Sequence, residues 1–281
     1  MIGRGARLLA GAVVLAGAMV LPGAMVLAAA PAARAAAPRI VSLNPCSDAI
    51  LVEVADPAQI LAISAYSRDP ASSSLLPGVA AHYASTHGTI EEVIALHPDV
   101  VIDGAFVAPA TVSAYRRMGL RLATMGTQRS VAGALDDVRQ LAALAGHPDR
   151  GEALVRRIMA ALATAAPPAG RPPVAALLWE WGGIVAGSGT LTGELLERTG
   201  FANEAARQGY HQADIYPIER LIAHPPRVLL TVGDDRMLHH PALAALTHTV
   251  RADFPAGLLY CGGPTIIRAA QRLAALHKAL G

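Results

Sequence analysis

One segment of the sequence, TIEEVIALHPDVVID (Thr89–Asp103), constrains the fold more than any other. Thr89, followed three residues later by Glu92, forms a capping box, which predicts that a helix begins at this threonine. Pro98 ends the helix because the residue before a proline disfavours helical backbone angles. The apolar run after the proline predicts a buried strand, so the segment is typical of a parallel α/β sheet.

The remainder of the N-terminal half alternates between strand and helix in the same way. Short apolar runs predict strands, and longer periodic runs predict helices. This order favours a doubly wound lobe, in which helices cover both faces of a parallel sheet. The predicted strands are Arg39–Leu43, Ile60–Ser64 and Leu120–Thr124, and the predicted helices are Ala49–Ala55 and 109–119.

A long helical stretch, Ser130–Ala166, lies near the middle of the chain. Gly146-His147-Pro148 interrupts it, which predicts two helices, and the proline-rich stretch Pro167–Pro173 follows. We therefore predict an N-terminal lobe over residues 38–147, an inter-lobe helix over 148–166 and a C-terminal lobe over 167–281.

The second half of the sequence repeats the pattern of the first. EEVIALHPDVVI (Glu91–Ile102) aligns without gaps on ERLIAHPPRVLL (Glu219–Leu230), and both predict a helix, a proline stop and a strand. The alignment indicates two copies of one architecture. The other elements predicted here are strands at Val174–Trp179 and Gly257–Cys261, and helices at Leu191–Arg198 and Thr265–Leu280.

Residues 1–37 are typical of a secretory signal peptide. Arg4 and Arg7 precede a long uncharged apolar run, and Ala33 and Ala35 provide the spacing of a cleavage site. We expect export to the periplasm, with cleavage near Ala35 and a retained membrane anchor as the alternative. No cysteine lies near this site in the sequence, so a lipid-anchored start is not expected.

Four segments together resemble a known family. The segments resemble the periplasmic binding proteins for cobalamin and ferric siderophores. In chain order they are RIVSLNPCSD, IEEVIALHPDVVID, the long mid-chain helix and IERLIAHPPRVLLTVG. The resemblance covers residues 38–281. It implies two α/β lobes joined by one long helix, with a ligand cleft between them and little closure. It also implies a monomeric, non-enzymatic component of an ABC importer that holds its cargo without a cofactor.

Glu91 and Glu219 occupy equivalent positions in the two repeats. From the residues alone, each acid suits the first turn of a helix, where it interacts favourably with the helix dipole. The resemblance implies a further role, because glutamates at these positions in the family meet arginines of the membrane permease dimer.

Ligands of doubly wound sheets bind beyond the carboxyl ends of the strands, which defines a candidate ligand-binding set. Trp179 and Trp181 follow one such end, and aromatic side chains offer broad apolar walls to a flat macrocycle. Alternatively, either tryptophan lies in the core, because every second residue of a strand faces the core. The candidate set is Asn44, Cys46, Tyr66, Phe106, Trp179, Trp181, Tyr210, His211 and Cys261.

Cys46 and Cys261 are the two cysteines of the chain, and both follow predicted strands. Three states compete: free thiols, a disulfide that joins the lobes, and soft ligands to a bound metal. Free thiols are favoured, because an unpaired cysteine is commonly a small buried side chain.

Charge narrows the class of cargo. The net charge of +2, without a clustered basic face, argues against a nucleic-acid partner. Anionic siderophores call for several arginines in the site, whereas the strand-end loops carry both signs of charge. This balance favours a corrinoid, followed by haem and iron–siderophore complexes. The charged residues of these loops are Arg68, Asp69, Glu180, Asp234, Asp235 and Arg236.

Two alternatives remain open. A zinc- or manganese-binding protein would need several histidines or carboxylates converging in the cleft, and no ligand spacing in the sequence is diagnostic. An exported hydrolase is less favoured, because GSGTLTG (Gly187–Gly193) does not have the frame of a nucleophile elbow.

Overall fold

The computed structural model describes residues 37–280. The predicted signal peptide and its cleavage site near Ala35 therefore lie outside the described residues. None of the helices between residues 37 and 280 combines the length and the hydropathy that a membrane span requires.

The N-terminal lobe is built on a parallel sheet of five strands in the order β3-β2-β1-β4-β5. The first strand lies in the middle, so successive crossovers cover both faces of the sheet, as the apolar strand sequences predict. The strands are β1 (Ile40–Ser42), β2 (Ile60–Ser64), β3 (Ser85–Thr86), β4 (Val100–Gly104) and β5 (Arg121–Met125). The helices are α1 (Pro45–Val54), α2 (Pro77–Ala80), α3 (Ile90–Ala95), α4 (Pro109–Arg117) and α5 (Val131–Leu144).

After the connecting helix α6 (Pro148–Ala165), the C-terminal lobe forms a mixed sheet of six strands. Strands β6, β8, β10 and β11 pair in parallel, whereas β7 and β9 pair antiparallel. The strands are β6 (Val174–Trp179), β7 (Ile184–Ala186), β8 (Phe201–Asn203), β9 (Ala213–Ile215), β10 (Val228–Thr231) and β11 (Val250–Asp253). The helices are α7 (Leu191–Arg198), α8 (Glu204–Arg207), α9 (Ile218–Ala223) and α10 (Thr265–Ala279).

The antiparallel strand β7 was not predicted, because its sequence reads as a glycine-rich loop. Gly182 and Gly183 adopt φ angles of 72° and 81°, a region that other residues rarely enter. They reverse the chain directly after β6, so that Val185 pairs with Trp179. Two glycines thus convert the end of a parallel strand into a tight turn.

Helix α6 lies within a core that is continuous through both lobes. Its apolar side chains, among them Leu154 and Ile158, belong to one buried cluster with Ile40 of β1 and Leu178 of β6. A shared core opposes large hinge motions, because closure would have to disrupt close packing. The domain limits 38–147, 148–166 and 167–281 stay predictions.

The prediction of a last strand at Gly257–Cys261 is wrong. Residues Ala256–Leu258 form a short 3-10 turn, and the last strand among the described residues is β11, which was not predicted. Leu259 and Cys261 are nonetheless buried. The short apolar run therefore correctly indicated buried residues, but its periodicity does not distinguish a strand from a packed turn.

Cys46 and Cys261 form a disulfide, with their Cα atoms 5.0 Å apart. The preference for free thiols is therefore wrong, and the second of the three readings, a bond between the lobes, describes the structure. The bond joins the first turn of α1 to the segment before α10. Residues 262 and 263 must be glycine at this contact, because a Cβ atom would lie 2.6 Å from Ala134 Cβ or Ile50 Cγ1.

Candidate functional site

The carboxyl ends of the two sheets face each other across a cleft of about 280 Å³. The N-terminal lobe contributes the loop after β5, residues 127–129, and the C-terminal lobe contributes the residue after β6, Glu180. Strand ends of both lobes therefore form one concave site, as expected for doubly wound sheets. The other lining residues are Ala186, Gly189, Thr190, Leu191, Thr192, Gln212, Ala213, Leu259 and Tyr260.

Gln128 connects the two sides of the cleft floor. Its Nε2 donates to Asp137 Oδ2 of α5 at 2.8 Å, and its Oε1 accepts from the backbone N of Gly262 at 2.6 Å. Together with the neighbouring disulfide, this side chain holds the segment around Tyr260 against the N-terminal lobe. Gln128 was not predicted, because its role depends on two contacts with residues distant along the chain.

Glu180 places a carboxyl group in the cleft. Its backbone N donates to Ile184 O at 2.8 Å, which anchors it at the turn between β6 and β7. Within residues 37–280, no group donates a hydrogen bond to its carboxylate and no cation pairs with it. Burial raises the pKa of this carboxyl to about 7, because a low-dielectric site disfavours the charged form.

Aromatic side chains stand exposed along the carboxyl edges of both sheets. Phe106 follows β4 and is 92% exposed, and Trp181 follows β6 and is 77% exposed. Tyr66 follows β2 at 68% exposure, and Tyr260 lines the cleft itself at 51%. Of these four side chains, Tyr260 is the one among the residues that line the cleft. Tyr260 was not predicted as a site residue, because it falls inside the incorrectly predicted last strand.

Trp179 does not line the cleft: its side chain is fully buried. The indole Nε1 donates to Asp235 Oδ2 at 3.0 Å, and the same oxygen accepts from Gly182 N at 2.9 Å. Burial alone would raise the pKa of Asp235. The hydrogen bonds from Met237 N, Trp179 Nε1 and Gly182 N outweigh this effect and hold the pKa below its usual value. Trp179 therefore supports the turn that carries Trp181, and the two side chains diverge because β6 ends at Trp179.

Tyr210 and His211 line a second hollow, of about 350 Å³, beside the cleft. Tyr210 packs against the buried Tyr216 with ring centroids 5.3 Å apart, and the guanidinium of Arg220 lies 5.6 Å from its ring centre. His211 Nδ1 forms a hydrogen bond with Ser188 Oγ at 2.9 Å. Neither residue is among those that line the cleft, although Gln212 lines both cavities.

The side chain of Asn44 caps the start of α1. Its Oδ1 accepts hydrogen bonds from the backbone N of Cys46 at 2.8 Å and of Ser47 at 3.3 Å. This is the role of an asparagine N-cap, which satisfies backbone donors of the first turn. Asn44 therefore positions Cys46 for the disulfide.

The loop that carries Tyr66 is held by a buried acid, Asp48 of α1. Asp48 Oδ2 accepts from Ser64 N at 2.9 Å and from Ser67 Oγ at 2.5 Å. Burial raises the pKa of Asp48 to about 7, although hydrogen bonds to its serine partners act in the opposite direction. The carboxyl thereby fixes the residues on both sides of Tyr66.

Glu91 and Glu219 are exposed in the first turns of α3 and α9. Thr89 caps α3 through a bond from Glu92 N to its hydroxyl at 3.2 Å, as predicted. The Glu92 carboxylate turns away and accepts from Thr86 Oγ1 at 2.5 Å and His87 N at 2.8 Å. Glu91 has no such partner within residues 37–280, so its carboxylate is available at the surface.

Within residues 37–280, no three His, Cys, Asp or Glu side chains lie close enough together to hold a metal ion. The convergent cluster that a bare-ion site would need is thus not found in the described part of the chain.

A family model described as a periplasmic binding protein matches residues 40–252. No curated protein sequence is significantly similar to the chain.

Several solved structures share the fold. The periplasmic haem-binding protein RhuT from Roseiflexus sp. RS-1 is 25% identical, with a TM-score of 0.66 over 87% of this chain and 98% of its own. The vitamin B12-binding protein BtuF of Vibrio cholerae is 20% identical, with a TM-score of 0.67 over 87% and 98%. A periplasmic haem-binding protein from Pseudomonas aeruginosa is 21% identical, with a TM-score of 0.64 over 85% and 92%. These likenesses confirm the expected fold of two α/β lobes.

Proposed function

Because the chain belongs to the periplasmic binding protein family, we propose that it is the substrate-binding component of an ABC importer and that it captures a metal chelate. The proposal assigns the cargo to the cleft between the lobes and export to the predicted signal peptide. The protein would act as a monomer and need no cofactor of its own. The observation that carries the proposal is the cleft at the carboxyl ends of both sheets, which Tyr260 lines.

The size of the cleft bears on the shape of the cargo. Its volume of about 280 Å³ lies at the lower end of ligand pockets. A macrocyclic chelate therefore has to extend out of the cleft, between the lobes, onto the exposed aromatic rim. We assign this rim to Phe106 and Trp181, which are exposed at strand ends of the two lobes, because flat aromatic side chains suit a flat macrocycle.

Charge favours a corrinoid among the chelates. Arg129 and Glu180 are the charged residues that line the cleft among the described residues, one of each sign. A strongly anionic siderophore would call for an excess of arginine. A corrinoid, whose side chains are largely uncharged amides, is compatible with this balance.

Haem is the second candidate. The similarity to RhuT, which is described as a haem-binding protein, favours it. Tyr260 offers a phenol that could approach a macrocycle. Burial and the nearby charge of Glu180 raise the pKa of this phenol, which opposes the phenolate form that would bind iron best.

Delivery to the importer is assigned to Glu91 and Glu219. Each is exposed and lies at the start of a short helix, one in each lobe. The proposed partner is a permease dimer that presents basic residues to both glutamates.

A tryptophan-fluorescence titration of the mature protein with cyanocobalamin, haemin, a ferric siderophore and zinc tests the proposed cargo class. Saturable quenching by a chelate, after correction for its absorbance, supports the proposal, and the tightest chelate identifies the class. The proposal would be refuted if the folded protein bound only zinc, or bound none of the four ligands.

A further inference from the structure

Glu180 is the one acidic side chain in the lining of the cleft, within the described residues. Its position is fixed, because its backbone N is bonded to Ile184 O and the preceding residue, Trp179, is buried. Its carboxyl group, in contrast, has no hydrogen-bond donor and no cation within residues 37–280. A half-buried carboxyl without a partner is costly unless a ligand satisfies it.

The groups that face Glu180 do not neutralise it. Arg129 lines the same cleft from the N-terminal lobe but forms no ion pair with it. Tyr260 lies near enough that the charge of Glu180 adds to burial in raising the pKa of the phenol. Asp235, behind the turn, is occupied by Trp179 Nε1 and by Gly182 N. Among the described residues the carboxyl therefore has no partner, which leaves it free to contact solvent or cargo.

We propose that Glu180 determines specificity by selecting cargo that presents uncharged hydrogen-bond donors, such as carboxamide groups, and by rejecting cargo that presents carboxylates at this point. The inference rests on the proposed function and deepens it. An ionised Glu180 accepts a hydrogen bond from an amide N–H, which is stronger than a neutral pair. The same charge repels a cargo carboxylate in a site of low dielectric constant.

Titration of Glu180 predicts opposite pH dependences for the two kinds of cargo. The free protein carries Glu180 with a pKa of about 7. A carboxylate on the cargo raises this pKa further, so affinity for that cargo falls as the pH rises through 7. An amide that donates to Glu180 lowers the pKa, so affinity for the amide cargo rises over the same window.

The test compares cyanocobalamin with its monocarboxylic acid isomers, in each of which one amide is replaced by a carboxylate. Affinities are measured by equilibrium dialysis at pH 6 and pH 8, for wild type, Glu180→Gln and Glu197→Gln. Glu197 is the matched control, because it is an exposed glutamate on α7 of the same lobe. A haemin arm covers the second candidate cargo.

For wild type and the Glu197→Gln control, at least one isomer should bind about tenfold more weakly than cyanocobalamin at pH 8, which corresponds to one pKa unit. The gap should narrow at pH 6 and nearly vanish in Glu180→Gln at both pH values. An unchanged gap in Glu180→Gln overturns the role of Glu180 while leaving the proposed function intact. Preference for haemin over cyanocobalamin at pH 8, or binding of neither, overturns the inference as well. Binding of neither removes the proposed cargo class only if a ferric siderophore also fails to bind.

Discussion

Asp48 shows how a single buried acid supports the cleft. The residue is buried in the first turn of α1, and its Oδ1 has no hydrogen-bond partner within residues 37–280. Its other oxygen holds Ser64 and Ser67, on either side of Tyr66. The position of Tyr66, an exposed aromatic side chain after β2, therefore depends on a buried ionisable group.

We predict that Asp48→Asn reduces the pH dependence of stability. The folded-state pKa of Asp48 is raised to about 7, whereas in the unfolded chain it is about 3.9. Its contribution to stability is therefore complete below the unfolded value and is lost as the pH rises through 7. The slope in this window approaches about 1.4 kcal/mol per pH unit.

Urea denaturation at pH 5 and pH 8 checks this prediction. Relative to wild type, Asp48→Asn should become more stable on going from pH 5 to pH 8. Asp149→Asn, at an exposed position in the first turn of α6, is the control and should follow wild type. If Asp48→Asn loses as much stability as wild type over this range, the carboxyl does not titrate as described.

Individual site residues were predictable from the sequence only in part. Tyr66, Phe106 and Trp181 were predicted as site residues because they follow predicted strands. The order of strands and helices shows which residues lie at the carboxyl edge of a parallel sheet. The sequence could not tell which of Trp179 and Trp181 is buried, because that depends on where β6 ends and the glycine turn begins. The assignment of these residues to cargo binding stays a prediction.

The disulfide acts between elements rather than within one. It joins the start of α1 to the segment before α10, and its two cysteines are 215 positions apart in the chain. A cross-link over so long a segment restricts the unfolded chain strongly. Sequence alone left its existence open, because the pairing depends on how the C-terminal segment packs against the N-terminal lobe.

We predict that Cys46→Ala/Cys261→Ala lowers the free energy of unfolding by about 4 kcal/mol, as expected for a long closed loop. Urea denaturation of the oxidised wild type, the reduced wild type and the double variant measures the difference. Reduction should bring wild type close to the variant and leave the variant itself unchanged. Equal stability of the variant and the oxidised wild type would show that the bond contributes nothing.

Helices α3 and α9 carry the proposed docking acids in equivalent positions. We predict that Glu91→Lys/Glu219→Lys weakens binding to the permease at least about tenfold, or 1.4 kcal/mol, because both contacts become repulsive. Cargo affinity should stay unchanged, since neither residue lines the cleft.

Glu197→Lys is the matched control for this charge reversal, because it changes an exposed glutamate on α7 by the same amount. Binding to the permease in detergent or nanodiscs, followed by uptake in cells, provides the measurement. The docking proposal fails if the double variant binds and transports like the control.

At the level of the whole molecule, the two lobes share one buried cluster, one long helix and one disulfide. These connections oppose a wide hinge motion, because closure would have to disrupt close packing. Two α/β lobes with a central helix were predictable, because the strand–helix alternation and the internal repeat are strong signals. The antiparallel strands β7 and β9 were not, because glycine turns and short edge strands leave little periodicity.

Equilibrium dialysis of the mature protein against cyanocobalamin at pH 8, comparing wild type with Phe106→Ala/Trp181→Ala, tests the proposed capture of a macrocyclic chelate most directly. Met159→Ala, which removes an exposed apolar side chain on α6, is the control. We expect wild type and the control to bind equally, and the double variant to bind at least about tenfold more weakly, through loss of aromatic contacts. Equal binding by all three proteins would mean that the cargo lies elsewhere, and no binding by wild type would mean that a corrinoid is not the cargo.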